Sequence, residues 1–196
     1  MLAKCILAFL AFINPISKIF VLSTLAQNAD NHDIRQISIQ ATAFAGIILI
    51  LFALLGNFIL QYIFHVDIFA FQIVGGLVLL SRGFQALNRG LFFEVEINQK
   101  LEHASIVPLA CPMIAGPATL TAAITFPAEF GMPVTLAAII LALAINLVVM
   151  LSAQKISGVL KKFNLMGAFI RITGLIVATI GVQMVLNGTA AYIATL

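Results

Sequence analysis

The chain has 196 residues, 62% of them hydrophobic and 9% charged, with a formal net charge of +3. So few charges cannot clothe a soluble globule of this length, and the composition points to an integral membrane protein. The basic residues are scattered between apolar stretches without an aromatic-laced patch, which argues against nucleic-acid binding and for a role as orientation signals.

Six segments reach the ~20 mainly apolar residues needed to cross a hydrocarbon core, near 2–26, 37–64, 68–88, 104–126, 133–154 and 166–188. The expectation is a single all-α transmembrane domain over 1–196. The first span follows a lone Lys4, lacks an A-x-A-type cleavage site and leads into further spans, so it reads as a mature helix. It carries Asn14-Pro15 at mid-span. A proline inside a helix removes one backbone hydrogen bond and clashes with the carbonyl four residues back, whereas Asn or Gly before Pro suits a cap and a first helical position. The span therefore reads as two half-helices. The fourth span carries the equivalent signal at Gly116-Pro117. The second and fifth spans place Asn57 and Asn146 deep in apolar sequence, where an amide needs a partner.

Connections near 27–36, 89–103 and 155–165 hold most of the charge, while those near 65–67 and 127–132 are short. Alternation puts Arg35, Arg89, Lys100, Lys155, Lys161 and Lys162 on one side and Lys4 alone on the other. The positive-inside rule then places the three charged loops in the cytoplasm and both termini outside. Cys5 and Cys111 lie in apolar spans without metal-site or disulfide spacing and are expected to pack. His32, His65 and His103 fall in different connections and make no metal site.

An internal repeat is visible when Phe71-Gln-Ile-Val-Gly-Gly76-Leu77 is laid over Phe169-Ile-Arg-Ile-Thr-Gly174-Leu175, an offset of 98 residues that also brings Gly83 and Gln85 onto Gly181 and Gln183. Pro15 and Pro117 are 102 apart. Each unit has three spans, an odd number, so the second unit is inverted relative to the first. The repeats are expected at about 1–90 and 104–196, joined by the loop at 89–103.

Unpaired backbone groups are tolerated at membrane depth only where protein or a polar cavity satisfies them, so the breaks mark the expected binding site. Half-helices starting at Pro15 and Pro117 present N–H groups of Ile16, Ser17 and Lys18, and of Ala118, Thr119 and Leu120, with a positive dipole end suited to a carboxylate. Carbonyls near Leu10 to Ile13 and Pro112 to Ala115 are left for an ammonium or a cation. The expected substrate-binding set is Asn14, Pro15, Ile16, Ser17, Ala115, Gly116, Pro117, Ala118, Thr119, Thr121 and Asn146. The small and hydroxylic members also suit close helix packing. Lys18 is the one cation near a break, and its stem is long enough to snorkel to the cytoplasmic interface, which is the preferred reading.

No Asp or Glu lies inside a span, so a carboxylate proton relay is not expected. Nor is there an intramembrane His, Asp or Glu to build a membrane-embedded protease or lipid-modifying enzyme, and no cofactor, metal or ATP-binding motif is indicated. The expected activity is secondary transport of a small zwitterion by alternating access, with a channel or pore as the alternative. A small-molecule substrate and membrane lipids are the expected partners, with a homo-oligomer and coupling to H⁺ or Na⁺ left open.

Three runs resemble signatures of a known family. Phe12-Ile-Asn-Pro-Ile-Ser17 with Leu22-Ser-Thr-Leu25, Val74-Gly-Gly-Leu-Val-Leu-Leu80, and Ile106-Val-Pro-Leu-Ala-Cys-Pro-Met-Ile-Ala-Gly-Pro117 are similar to those of MarC family membrane proteins. The resemblance implies a six-span inner-membrane protein and, through transport reported in the family, small neutral amino acids such as glycine or alanine as substrates. The chain departs from the pattern, which usually has Gly where Ser17 stands, Asn where Lys18 stands, a proline near Phe20 and Gly where Ala118 stands.

Overall fold

The computed structural model describes residues 1–25, 30–89, 113–162 and 166–195. Eight α-helices run through them: α1 (Leu2–Ile13), α2 (Pro15–Leu25), α3 (Asn31–Phe58), α4 (Ile68–Arg89), α5 (Pro117–Phe130), α6 (Met132–Leu151), α7 (Ala153–Lys162) and α8 (Met166–Ile193). A π-helical turn, Ile59–Ile63, closes α3. Among the described residues, five stretches are long and apolar enough to cross a membrane: Leu2–Ser23 taken through its break, His32–Ile63, Ile68–Asn88, Met132–Leu151 and Gly167–Ile193. Residues 90–112, which include Cys111, His103 and the start of the expected fourth span, lie outside the described residues.

Three boundaries differ from the sequence reading. The second span starts at Asn31 rather than near 37, because Asp30 stands in extended backbone ahead of the helix and Asp33 complements the dipole of its first turn. The connection at 127–132 shrinks to Gly131, whose φ of +86° suits glycine, and Pro133 stands in the first turn of the next helix. The stretch 155–165, read as a charged loop, instead includes the helix α7. Its Ser157 and Ala153 are buried while Gln154 and Lys155 are exposed, so polarity there marks one face of a helix.

Periodicity sets which faces pack. On α1, Cys5, Phe9 and Ile13 are fully buried at four-residue spacing, and Leu7 faces outward. On α3, Ile34, Ile37, Ala41, Ala45, Leu49 and Ala53 turn inward while Phe44, Ile47, Leu51, Leu54 and Phe58 stay exposed. Exposed faces this apolar are what lipid, not water, covers. The inward faces of α1, α2, α3, α5, α6 and α7 share one core with Met113, Ile114 and Ala115. Phe126 of α5 stacks edge-on against Phe9 at 5.3 Å between centroids. Asn57 is exposed near the C-terminal end of α3, so its amide takes no part in the interior expected for it.

Helices α4 and α8 form a second layer and meet through glycine. A Cβ built on Gly76 would lie 2.6 Å from the carbonyl oxygen of Gly181, and one on Gly181 would lie 2.6 Å from that of Gly76. Gly83 meets Gly174 in the same way, with 2.7 Å to its oxygen, and Gly188 meets Phe69. Rising numbers on one helix meet falling numbers on the other, so the pair is antiparallel. Glycine here lets the backbones touch, the usual device of close membrane helix packing.

Candidate functional site at the two helix breaks

Both breaks form where the sequence places them. Asn14 ends α1 in the left-handed region (φ 52°, ψ 73°), its N–H donating to the Leu10 carbonyl, and Pro15 opens α2. Asparagine is one of the few non-glycine residues that adopt this conformation readily. Gly116 precedes Pro117 in extended backbone (φ −86°, ψ 173°), and the proline occupies the first turn of α5.

The two breaks use the same local bond. Ser17 Oγ donates to the Asn14 carbonyl at 2.8 Å, and Thr119 Oγ1 donates to the Gly116 carbonyl at 2.8 Å. Thr119 Oγ1 also lies 2.8 Å from the Ile114 carbonyl. These hydroxyls therefore serve backbone oxygens at the breaks. Two N–H groups expected to be free are likewise engaged: Ser17 N–H donates to the Asn14 carbonyl and Leu120 N–H to that of Gly116. The N–H groups of Ile16, Ala118 and Thr119 stand in first turns, where a helix offers no partner of its own.

Lys18 does not snorkel. It is 1% exposed, and its ammonium donates to the carbonyls of Ile13, Asn14 and Met113, the last at 2.6 Å. Carbonyl acceptors wait for it inside. Pro117 has no N–H to give the carbonyl four residues back, which is Met113, and Ser17, the normal partner of Ile13 in a continuous helix, turns to Asn14 instead. Both orphaned oxygens converge on Lys18. One side chain thus ties the first break to the second, across 95 residues of sequence. The signal for this contact lay in the proline: the acceptor it frees can be counted from its position.

Other expected site residues gather around this point. Ser17, Ala115, Ala118, Thr119 and Thr121 are buried, and Asn14, Pro15, Ile16, Gly116 and Pro117 are half-buried. Thr121 Oγ1 donates to the Pro117 carbonyl at 2.9 Å. Helix α4 closes over the second break, where a Cβ on Gly75 would stand 3.4 Å from Pro117 Cβ and from Thr121 Oγ1. Ile16 packs against Ala86, Ile170 and Val177, so α2 leans on the same α4–α8 layer.

Asn146 stands apart from these contacts, on α6, which packs against both α1 and α2. It is fully buried. Its Nδ2 donates to Met150 Sδ at 3.1 Å, while Oδ1 has no partner among the described residues. A buried acceptor left open costs about 1–3 kcal/mol. Asn146→Leu is therefore expected to raise the melting temperature of the purified protein by roughly 2–4 °C, the effect of about 1 kcal/mol in a chain of this size. A fall would mean that the fold needs the amide.

The family described as "MarC family integral membrane protein" matches residues 1–193. The chain belongs to this family. Among its MarC-family relatives, a UPF0056 membrane protein of Pyrococcus horikoshii is 36% identical over 190 residues, covering 97% of this chain and 94% of its own. One from Methanocaldococcus jannaschii is 32% identical over 200 residues, covering 93% and 94% respectively. One from Pyrococcus abyssi is 29% identical over 187 residues, covering 91% and 89%. No solved structure shows a significant match. The protein is accordingly a multi-pass integral membrane protein of the MarC family.

Proposed function

We propose that this MarC-family protein is a secondary transporter of a small zwitterionic solute, with small neutral amino acids such as glycine and alanine as the first candidates. The observation that carries the reading is the meeting of two broken helices at Lys18. Half-helix ends that converge inside a membrane protein are the devices by which transporters hold charged groups. The first-turn N–H groups at Pro15 and Pro117 favour a carboxylate. Asn146 Oδ1 offers a buried acceptor for an ammonium.

The architecture that goes with this function is six spans in two inverted repeats. The Gly76–Gly181 and Gly83–Gly174 contacts support it, because exchanging the helices at the 98-residue offset maps each contact onto the other. That is the self-complementary pattern of a twofold interface. The matched Ser17 and Thr119 bonds point the same way. In this arrangement the protein lies in the cell's inner membrane with both termini outside, and one repeat rocks against the other without enzymatic chemistry.

Ligand-dependent melting of the purified protein tests the binding half of the proposal. Glycine or alanine is expected to raise the melting temperature in a saturable way, and Asn146→Leu is expected to abolish that response. No shift with any small amino acid would contradict it.

A further inference from the structure

We infer that the carbonyls of Ile13, Asn14 and Met113 constitute a binding site for a compact monovalent cation or primary ammonium, and that Lys18 is its tethered occupant. Three oxygens face one nitrogen, matching the three N–H donors of an ammonium, which has no acceptor to offer in return. Two of the oxygens are left open by the breaks themselves, as the missing N–H of Pro117 and the diverted N–H of Ser17 show. The site is thus a property of the backbone and exists without the lysine. Ile13 ends α1, where the helix dipole is negative, a second feature that favours a cation.

Charge balance supports the same assignment. The described acids, Asp30, Asp33, Asp67 and Glu129, are all exposed, so no carboxylate among the described residues pairs with Lys18 in the interior. Among the described residues, its Nζ faces carbonyl oxygens only, as a desolvated ion does in a selectivity filter. A lysine held only for packing would bury this charge at a cost that an apolar side chain avoids. In the transport reading this is the position a coupling cation would take, so transport by the wild-type protein needs no Na⁺ there. That consequence rests on the proposed function, whereas the site itself does not.

The test is thermal melting of the purified full-length chain, wild type and Lys18→Ala, in methylammonium, sodium, potassium or choline chloride at equal ionic strength. Lys18→Ala is expected to melt below the wild type and to regain on the order of 5 °C, saturably, as methylammonium reaches about 100 times its Kd. Choline, too large for the three oxygens, is expected to leave it unchanged, and no salt is expected to move the wild type relative to choline. The sodium and potassium arms tell whether the vacated site takes metal cations as well as an ammonium. If the variant folds only when made in methylammonium, that dependence supports the site. A variant that responds to compact cations no more than the wild type does, or that none of them recovers in folded form, overturns it. So does specific stabilisation of the wild type by sodium. Failure of amino acid uptake would leave these results standing, which separates the two proposals.

Discussion

Gly76→Ala is expected to lower the melting temperature by roughly 2–12 °C, the effect of about 1–3 kcal/mol of overpacking in a chain of this length. The added methyl would stand 2.6 Å from the Gly181 carbonyl oxygen, a backbone atom that cannot rotate away. Relief requires the two helices to separate along their seam. Because Gly181→Ala strains the same contact from the other side, the double variant is expected to lose less than the sum of the singles. Gly158→Ala is the control: a Cβ there meets nothing within 4 Å among the described residues, and alanine is the better helix former by about 1 kcal/mol. Thermal melting of the four variants beside the wild type in one detergent checks the prediction, and a Gly76→Ala protein as stable as the control would deny the close contact.

Pro117→Ala is expected to reduce transport at least about tenfold, a loss of about 1.4 kcal/mol or more in effective barrier, while folded protein persists in the membrane. Alanine at 117 supplies an N–H to the Met113 carbonyl, which now accepts from Lys18. The helix can then run through the break, and Lys18 loses the partner that joins the two halves. Helix continuity is itself stabilising, so the variant is expected to lose activity rather than fold. Measuring uptake and melting on the same preparation separates the two effects. Unchanged uptake would place the site away from the second break.

The breaks and the apolar spans were legible in the sequence because each rests on local chemistry: proline's missing N–H and a run of apolar residues. The course of Lys18 was not. Its stem is long enough to reach either the interface or the interior, and the choice is made by Met113, which local pattern does not bring near. The hydroxyls of Ser17 and Thr119 donate to carbonyls of their own breaks, a use that a small hydroxylic residue beside a proline does not announce in sequence. Helix α7 was missed because four of its ten residues, Gln154, Lys155, Lys161 and Lys162, are strongly polar and suggested a loop. Asn57 and Asn146 look alike in sequence but part company in the fold, the first on an outward face and the second in the core. Helical phase alone did not separate them, since the spans are apolar on every side.

The proposed transport requires that a small zwitterion cross the membrane through this protein. Counterflow in proteoliposomes is the direct measurement: labelled glycine or alanine outside, with the same solute unlabelled inside. Saturable entry is expected, accelerated by the internal solute and lost in Pro117→Ala. Entry no faster than into protein-free liposomes, or entry that neither saturates nor responds to internal solute, would contradict it.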